Sequence, residues 1–375
     1  MRIAVNVRSL TGGRLEGIGR YVFESLKELV ASHPEHTFIL FFDRKFAPEY
    51  IYGPNVIPVI IQPKAIHAVL WYLWFEWRLP FFLKKYKADV FLSPDGFSST
   101  RTKVPTVLVV HDLAYLHYPH FFKRATSLFY RLFVPGFLKK ASTIAVVSES
   151  TRNDVLSQIS IKPDRIFLTH CAASDQFQPL SADKIRSIRE KFTKGEPYFF
   201  FVGALHPRKN IANLIKAFEF FCRQYDSTIK LVIAGRLAWH SDAIKTAIDD
   251  FPFKDRLVYL GSVDAALLPD LMGASFAVVY PSLFEGFGIP ILEAMCCDVP
   301  VITSNTSSMP EVGGDAALYA DPLMPDHIAD QMNRLHAEPG LREQLVANGR
   351  EQRVKFSWKK VAEQLYRAIE KASNR

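Results

Sequence analysis

The feature that most constrains this chain is a series of short apolar runs spaced too widely to form hairpins. The first half contains "RIAVNV", "TFILFF", "VIPVII", "ADVFLS", "PTVLVV", "TIAVVS" and "RIFLTH". The second half contains "YFFFVG", "IKLVIAG", "RLVYLG", "SFAVVY" and "VPVITS". A strand with one wet face alternates apolar and polar residues, whereas a strand buried on both faces reads as a nearly unbroken apolar run. These runs are of the second kind, and parallel strands need long crossovers. Helix-length amphipathic segments stand between many of them, such as "ATSLFYRLFVPGFLKK" (125–140) and "NIANLIKAFEFFCRQY" (210–225). The predicted class is α/β, and at 375 residues the chain is too long for one ordinary core. Two doubly wound, Rossmann-like domains are expected.

The seam between them is placed in the polar stretch 172–198, giving domains over 1–175 and 176–357, with no sequence repeat between the halves. The tail "SWKKVAEQLYRAIEKASNR" reads as a final amphipathic helix. The opening "MRIAVNVRSL" lacks a hydrophobic leader region and a small-residue cleavage site, so it is read as a first strand. The most apolar stretch, "AVLWYLWFEWRLPFFL", is interrupted by Glu76, Arg78 and Pro80 and is not expected to span a bilayer. Cys171, Cys222, Cys296 and Cys297 have no metal-ligand spacing and read as core thiols of a reducing compartment. A cytoplasmic protein is expected.

Charge is unevenly spread. Residues 1–180 hold 22 lysines and arginines against 14 acids, and the remainder holds 24 against 24. The whole excess therefore lies in the first half, which is expected to meet something anionic. The segments 70–87 and 121–140 mix aromatics with Lys84, Lys85, Lys87, Lys123, Arg124, Arg131, Lys139 and Lys140. They are either helices packed on the sheet with a basic outer face or an interfacial surface for anionic lipid. Nucleic acid is the poorer candidate and is not expected as a partner, because no nucleic-acid module is recognisable.

Ligands of open parallel sheets bind beyond the carboxyl ends of the strands, so the residues after each run are the candidates. After "YFFFVGAL" comes His206-Pro207-Arg208-Lys209-Asn210, followed by a helical pattern. Two cations beside a helix N-terminus oppose its dipole unless an anion sits there. Arg208 and Lys209 are thus either an exposed basic loop or a clamp for phosphate. After "SFAVVY" comes "PSLFEGFGIPILEAM", where Pro290 suits a first helical turn. Gly286 and Gly288 permit close backbone approach to a ligand. Glu285 and Glu293 are either a cap and a solvated helix residue or two acids facing one cleft. His111-Asp112 follows "PTVLVV", structural or catalytic. The loop "TGGRLEGIGRY" is not a Walker loop, since Ile18 stands where lysine is needed. It is not a dinucleotide fingerprint either, since position 22 is Val.

Taken in order, "GG…GIGRY", "HD", "VSESTR", "GALHPRKN", "VIAG" and "PSLFEGFGIPILEAMCCDVPVITS" resemble glycosyltransferase family 4 over nearly the whole chain. That resemblance implies the GT-B fold, two Rossmann-like domains facing each other across a cleft, with the C-terminal helix 358–375 returning to the first domain. The last motif resembles the family's Glu-x7-Glu signature. It implies that Glu293 holds the ribose of a nucleotide and that Glu285 faces the donor hexose. Gly286, Phe287, Gly288 and Ile289 would meet sugar and diphosphate through the backbone. Arg208 and Lys209 match the diphosphate-binding cations, His111 the histidine contacting the donor sugar, and Gly13 the glycine loop over the diphosphate. Arg14, Tyr21 and Asp112 are the acceptor-side candidates, and Val263 a loose candidate for the base pocket.

"GIGRY" and "HDL" are most similar to bacterial mannosyl- and related hexosyltransferases of surface-polysaccharide synthesis. The resemblance therefore implies retaining transfer of a hexose, with GDP-mannose the expected donor and UDP-hexoses the alternative. The acceptor would be a glycan or a lipid-linked glycan, reached by a cytoplasmic protein held peripherally on the inner membrane face. No Asp-x-Asp occurs anywhere in the chain. Positive charge on Arg208 and Lys209 can stabilise a departing diphosphate instead, so no cofactor and no metal are expected. A sucrose- or trehalose-type synthase, a sugar-nucleotide epimerase, a phosphorylase and a non-catalytic nucleotide-sugar binder are the competing readings.

Overall fold

The apolar runs of the first half become seven strands: β1 (Arg2–Asn6), β2 (Thr37–Phe42), β3 (Val56–Ile60), β4 (Val90–Ser93), β5 (Thr106–Val110), β6 (Thr143–Val146) and β7 (Ile166–Leu168). They pair in the order β3-β2-β1-β4-β5-β6-β7, with every pairing parallel. The computed structural model describes residues 1–10, 15, 17–225, 227–237 and 242–374. Contacts divide the chain into two units. One runs from Met1 to Cys171 and includes the chain from Ser357 onward; the other runs from Ala172 to Phe356.

In the first unit the centre of the sheet is dry. All residues of β5 are buried, as the unbroken run "TVLVV" requires. Strand β3 lies at the edge, where Pro58 removes a ladder donor at little cost and where the burial of "VIPVI" is intermittent. The helix Ile18–Ser32 buries Tyr21, Val22, Ser25, Leu26, Leu29 and Val30, spaced at three and four residues as an amphipathic helix demands. The C-terminal helix Trp358–Ser373 packs beside it and onto β6, where the Thr143 hydroxyl donates to the Ala368 carbonyl at 3.0 Å. Tyr366 of that helix stacks on His33 with ring centroids 3.6 Å apart.

The segment 68–85 is one helix in three parts, with a π-turn over Trp74–Arg78 between Ala68–Leu73 and Leu79–Lys85. Pro80 follows the π-turn and cannot donate to the ladder. Glu76 lies inside it, buried, and accepts the backbone N–H of Thr100 and Arg101 and the Ser99 hydroxyl. The acid that interrupts the apolar stretch is thus a tether for a loop. Among the described residues no helix is long and apolar enough to cross a membrane.

The second unit holds β8 (Tyr198–Val202), β9 (Lys230–Ala234), β10 (Leu257–Gly261), β11 (Ala277–Tyr280), β12 (Val301–Ser304) and β13 (Ala317–Ala320), in the order β10-β9-β8-β11-β12-β13. These pairings are also all parallel. Five of the strands coincide with the apolar runs. β13, "ALYA", has no β-branched residue and is fixed by pairing along the whole of β12. All four cysteines are free thiols. Burial pushes the Cys171 and Cys297 thiols far up, as inert core residues require.

Candidate functional site

Both sheets reverse their winding at one point, between β1 and β4 in the first unit and between β8 and β11 in the second. A doubly wound sheet opens a crevice beyond the strand ends at that switch. In the second unit the residues leaving β8 and β11 meet there.

Beyond β8 the chain makes a short 3-10 turn, Pro207–Lys209, before the helix Ile211–Gln224. Asn210 links the two in a left-handed conformation at φ 63°. Its side-chain amide donates to the carbonyls of Pro281 at 3.0 Å and Pro322 at 2.6 Å, tying the loop after β8 to the loop after β11. The Leu283 N–H, donating to the Arg208 carbonyl at 2.9 Å, fastens the same two loops. The cations are therefore held at a fixed distance from the segment that carries Glu285.

Glu285 is 7% exposed. Its Oε1 lies 2.7 Å from Lys209 Nζ, and its Oε2 lies 3.7 Å from Arg208 Nη1. The Tyr280 hydroxyl donates to Oε1 at 3.2 Å and also meets Lys209 Nζ, whose ammonium stands 4.8 Å from the Tyr280 ring centroid. Burial acts to raise the Glu285 pKa. The charge of Lys209, then that of Arg208, outweighs it and holds the carboxyl below the usual carboxylate range. Glu285 is therefore ionised at neutral pH although it is buried. Tyr280 is driven well above its ordinary value, first by burial and then by the neighbouring carboxylate, and keeps its proton as a donor.

Neither bland alternative at these positions survives. Arg208 and Lys209 are not an exposed basic loop, since their side chains are only 23% and 16% accessible. Glu285 is not a helix cap: its side chain turns to the two cations, and Gly288 stands at the N-cap of the helix Ile289–Cys296. Glu293 lies on that helix and is buried at 9% exposure rather than solvated.

The segment between the acids is shaped by its backbone. Gly288 sits at φ 99°, and a Cβ there would meet Ile291 Cδ1 at 3.1 Å. The Ser308 hydroxyl reaches the carbonyls of Glu285 and Phe287, both at 2.9 Å, and the Ser307 hydroxyl accepts from the Glu285 N–H at 3.2 Å. The Phe287 side chain is buried edge-on against Phe356 at 5.5 Å, so any ligand contact at this position is made by the main chain. Gly288→Ala should destabilise the protein by about 1–2 kcal/mol, the cost of a left-handed residue with a side chain. A urea titration checks this, and an unchanged midpoint would remove the argument.

In the first unit His111 follows β5. Its Nε2 donates to the Pro94 carbonyl at 2.7 Å, which leaves Nδ1 as the unprotonated nitrogen of the neutral ring. Burial lowers its pKa more than the hydrogen bond to Pro94, then Asp112 and Asp95, raise it, so the ring is neutral at neutral pH. Asp112 Oδ1 accepts from the Ala114 N–H at 3.0 Å, just ahead of the short helix Ala114–His117.

The expectation for Tyr21 needs correction. Rather than offering itself to an acceptor, it is 1% exposed, and its hydroxyl donates to Thr169 Oγ1 at 3.0 Å. Its ring stands edge-on to His111 at 5.0 Å and to Trp358 at 6.0 Å. Its ring packs against one side of the histidine. The other acceptor-side candidate of that loop, Arg14, and Gly13 lie outside the described residues.

Tyr280 and Asn210 are members of the site that sequence reasoning passed over. Tyr280 was the last residue of a recognised strand, and a polar aromatic at that end was the available signal. Among the described residues, His33, Glu35 and His36 are the one group whose ligand atoms are close enough to hold a metal ion. They precede β2, at the end of the first sheet opposite to His111.

Comparison with known proteins bears on the family and the fold of the chain that carries this geometry. Residues 183–352 match the family described as Glycosyl transferases group 1, and residues 15–176 match Glycosyltransferase Family 4. The chain is 29% identical over 367 residues to O-antigen chain mannosyltransferase B of Escherichia coli, covering 94% of this chain and 96% of that relative. Its fold matches sucrose-phosphate synthase from Thermosynechococcus elongatus with a TM-score of 0.78, at 21% identity over 99% of each chain. HepE from Anabaena, solved with UDP and glucose, matches with a TM-score of 0.75 at 18% identity, over 98% of this chain and 99% of that one. At such identities the structural matches establish the fold, which is GT-B.

Proposed function

The chain belongs to the glycosyltransferases that join a family 4 domain to a group 1 domain, and on that premise we propose that it moves mannose from GDP-mannose to a lipid-linked glycan of a surface polysaccharide. Transfer occurs with retention and without a metal ion. The observation that carries this reading is the buried, ionised Glu285 held between Lys209 and Arg208 at the switch point of the second sheet. Mannose as the sugar is supported by the name of the Escherichia coli relative.

In this reading the diphosphate of the donor takes Arg208 and Lys209 as its counter-charges. As the bond from the anomeric carbon to the diphosphate oxygen breaks, its electron pair leaves with the nucleotide, and both cations stabilise it. Glu285 then faces the hexose hydroxyls and the positive charge that grows at the anomeric carbon. Glu293 takes the ribose hydroxyls, and the backbone from Gly286 to Ile289 lines the sugar and diphosphate. His111, neutral and with its proton on Nε2, accepts a hydrogen bond from a sugar hydroxyl at Nδ1 and would donate there only after a tautomer change. The acceptor oxygen attacks the face that the diphosphate leaves, and its proton passes to the departing phosphate oxygen. Configuration is retained. The protein works in the cytoplasm, at the inner face of the membrane that carries its acceptor.

Thermal denaturation with candidate donors tests this. GDP-mannose at a hundredfold excess over its Kd should stabilise the fold by about 2.7 kcal/mol, and UDP-, dTDP- and ADP-sugars should do much less. Stabilisation by UDP-glucose in place of GDP-mannose would favour the second reading, a UDP-hexose-dependent transferase, consistent with the ligands of HepE. No response to any donor would overturn both.

A further inference from the structure

The first unit carries an apolar surface that the chemistry above leaves unused. Eight of the fourteen large hydrophobic residues that are exposed among the described residues fall between Ile66 and Leu132. On the helical segment 68–85, Val69, Leu73, Trp77 and Phe81 recur every fourth residue, with Val69 74%, Trp77 55% and Phe81 59% exposed. On the helix Arg124–Lys140, Leu128 and Leu132 repeat the spacing at 58% and 66% exposure. The helices are neighbours, since the Trp71 ring lies 5.0 Å from the ring of Phe129. Each thus uses one face for the core and leaves a second apolar row outside, which a helix serving only the core does not do.

The charge around these rows has one sign. Between Lys64 and Lys87 the only acid is Glu76, and its buried carboxylate is already bound to the loop from Ser99 to Arg101. The helix Arg124–Lys140 contains no acid at all. Lys84, Lys85, Arg101, Lys123, Arg124 and Arg131 are exposed, and the Arg101 guanidinium lies 4.0 Å from the centre of the Trp77 ring. An apolar row with a tryptophan, flanked by cations and lacking exposed carboxylates, is the pattern of a segment lying in the interface of an anionic bilayer.

We infer that this face docks on anionic lipid, with Trp77 and Phe81 inserted at the headgroup level and the second row, Leu128 and Leu132, beside them. The surrounding cations meet the lipid phosphates. A second copy of this chain is the poorer occupant, because two such faces would bring like charges together. The inference deepens the proposed function by naming the surface through which a lipid-linked acceptor is met.

Co-sedimentation with sucrose-loaded vesicles tests it without turnover. The protein should bind vesicles of phosphatidylglycerol and phosphatidylethanolamine at least tenfold more strongly than vesicles of phosphatidylcholine, and added salt should weaken the binding. The double variants Trp77→Ser/Phe81→Ser and Leu128→Ser/Leu132→Ser should each lose about tenfold in vesicle partitioning. They should keep the wild-type melting curve and wild-type transfer to a lipid-free acceptor. Partitioning that is unchanged in both variants, or indifferent to lipid charge, would overturn the inference. So would a wild-type dimer that both variants abolish without any vesicle binding. If the wild type bound anionic vesicles but turned over no sugar nucleotide, the proposed function would fail and the docking face would stand.

Discussion

Replacing Glu285 by alanine should lower kcat for sugar transfer by about 10²–10³-fold, the range seen when a preorganised electrostatic group is removed. Lys209 and Arg208 keep this carboxylate ionised in a buried site, where its field is weakly screened. Positive charge grows on the sugar only as the bond to the diphosphate stretches, so the carboxylate binds the transition state better than the ground state. KM for the donor should change far less than kcat. Glu285→Gln keeps the volume and the hydrogen bond from Tyr280 but loses the charge, and it should be impaired nearly as much. Both variants bring Lys209 and Arg208 together without a counter-charge. Donor diphosphate should then stabilise them more than it stabilises the wild type in thermal denaturation. Steady-state kinetics with GDP-mannose decides the matter, and turnover near the wild-type value in Glu285→Ala would remove the proposed role.

The sheets were legible because burial on both faces writes itself as a run. "TVLVV" and "YFFFV" leave no other reading, and both are wholly buried. β13 was not legible, because "ALYA" has neither β-branched residues nor length, and only its register on β12 makes it a strand. The π-turn at Trp74–Arg78 was hidden for a related reason, since the loop that takes up the Glu76 carboxylate is distant in sequence. The place of the candidate site was legible by strand-end position. That rule placed Arg208, Lys209 and Glu285 at the ends of two strands, and the parallel pairing of β8 with β11 brought them together. What the residues could not declare was the partnership itself. The cations were expected to await a phosphate, yet they already hold a carboxylate, and Tyr280 and Asn210 fix the arrangement. Tyr21 misled because the motif around it points to a ligand while its own side chain points to Thr169.

Removing the Lys209 ammonium should cost both stability and rate, and the pH dependence of the stability loss identifies its cause. Lys209→Met keeps most of the side-chain stem and leaves Glu285 buried, with Arg208 at 3.7 Å as its remaining charged neighbour of the pair. Breaking a buried pair from one side costs about 3–5 kcal/mol, because a buried charge is left without its counter-charge. The wild-type carboxyl has its pKa lowered in the folded state. Its stabilising contribution is therefore complete above the unfolded value of about 4.3, and is lost only as pH falls through the lower folded value. The wild type should accordingly owe nothing to this group's titration between pH 7 and pH 5. In Lys209→Met the largest opposing influence is gone, burial dominates, and the folded pKa moves up. A carboxyl raised on folding binds its proton more readily in the folded state, so the variant gains stability as pH falls toward 5. Urea titrations at pH 7, 6 and 5 should thus show the gap between the two proteins narrowing on acidification. Transfer should fall by about 10²-fold at every pH, since the departing diphosphate has lost a cation that protonation of Glu285 does not restore. A stability gap that stays constant from pH 7 to pH 5 would mean that Glu285 does not depend on Lys209 for its charge.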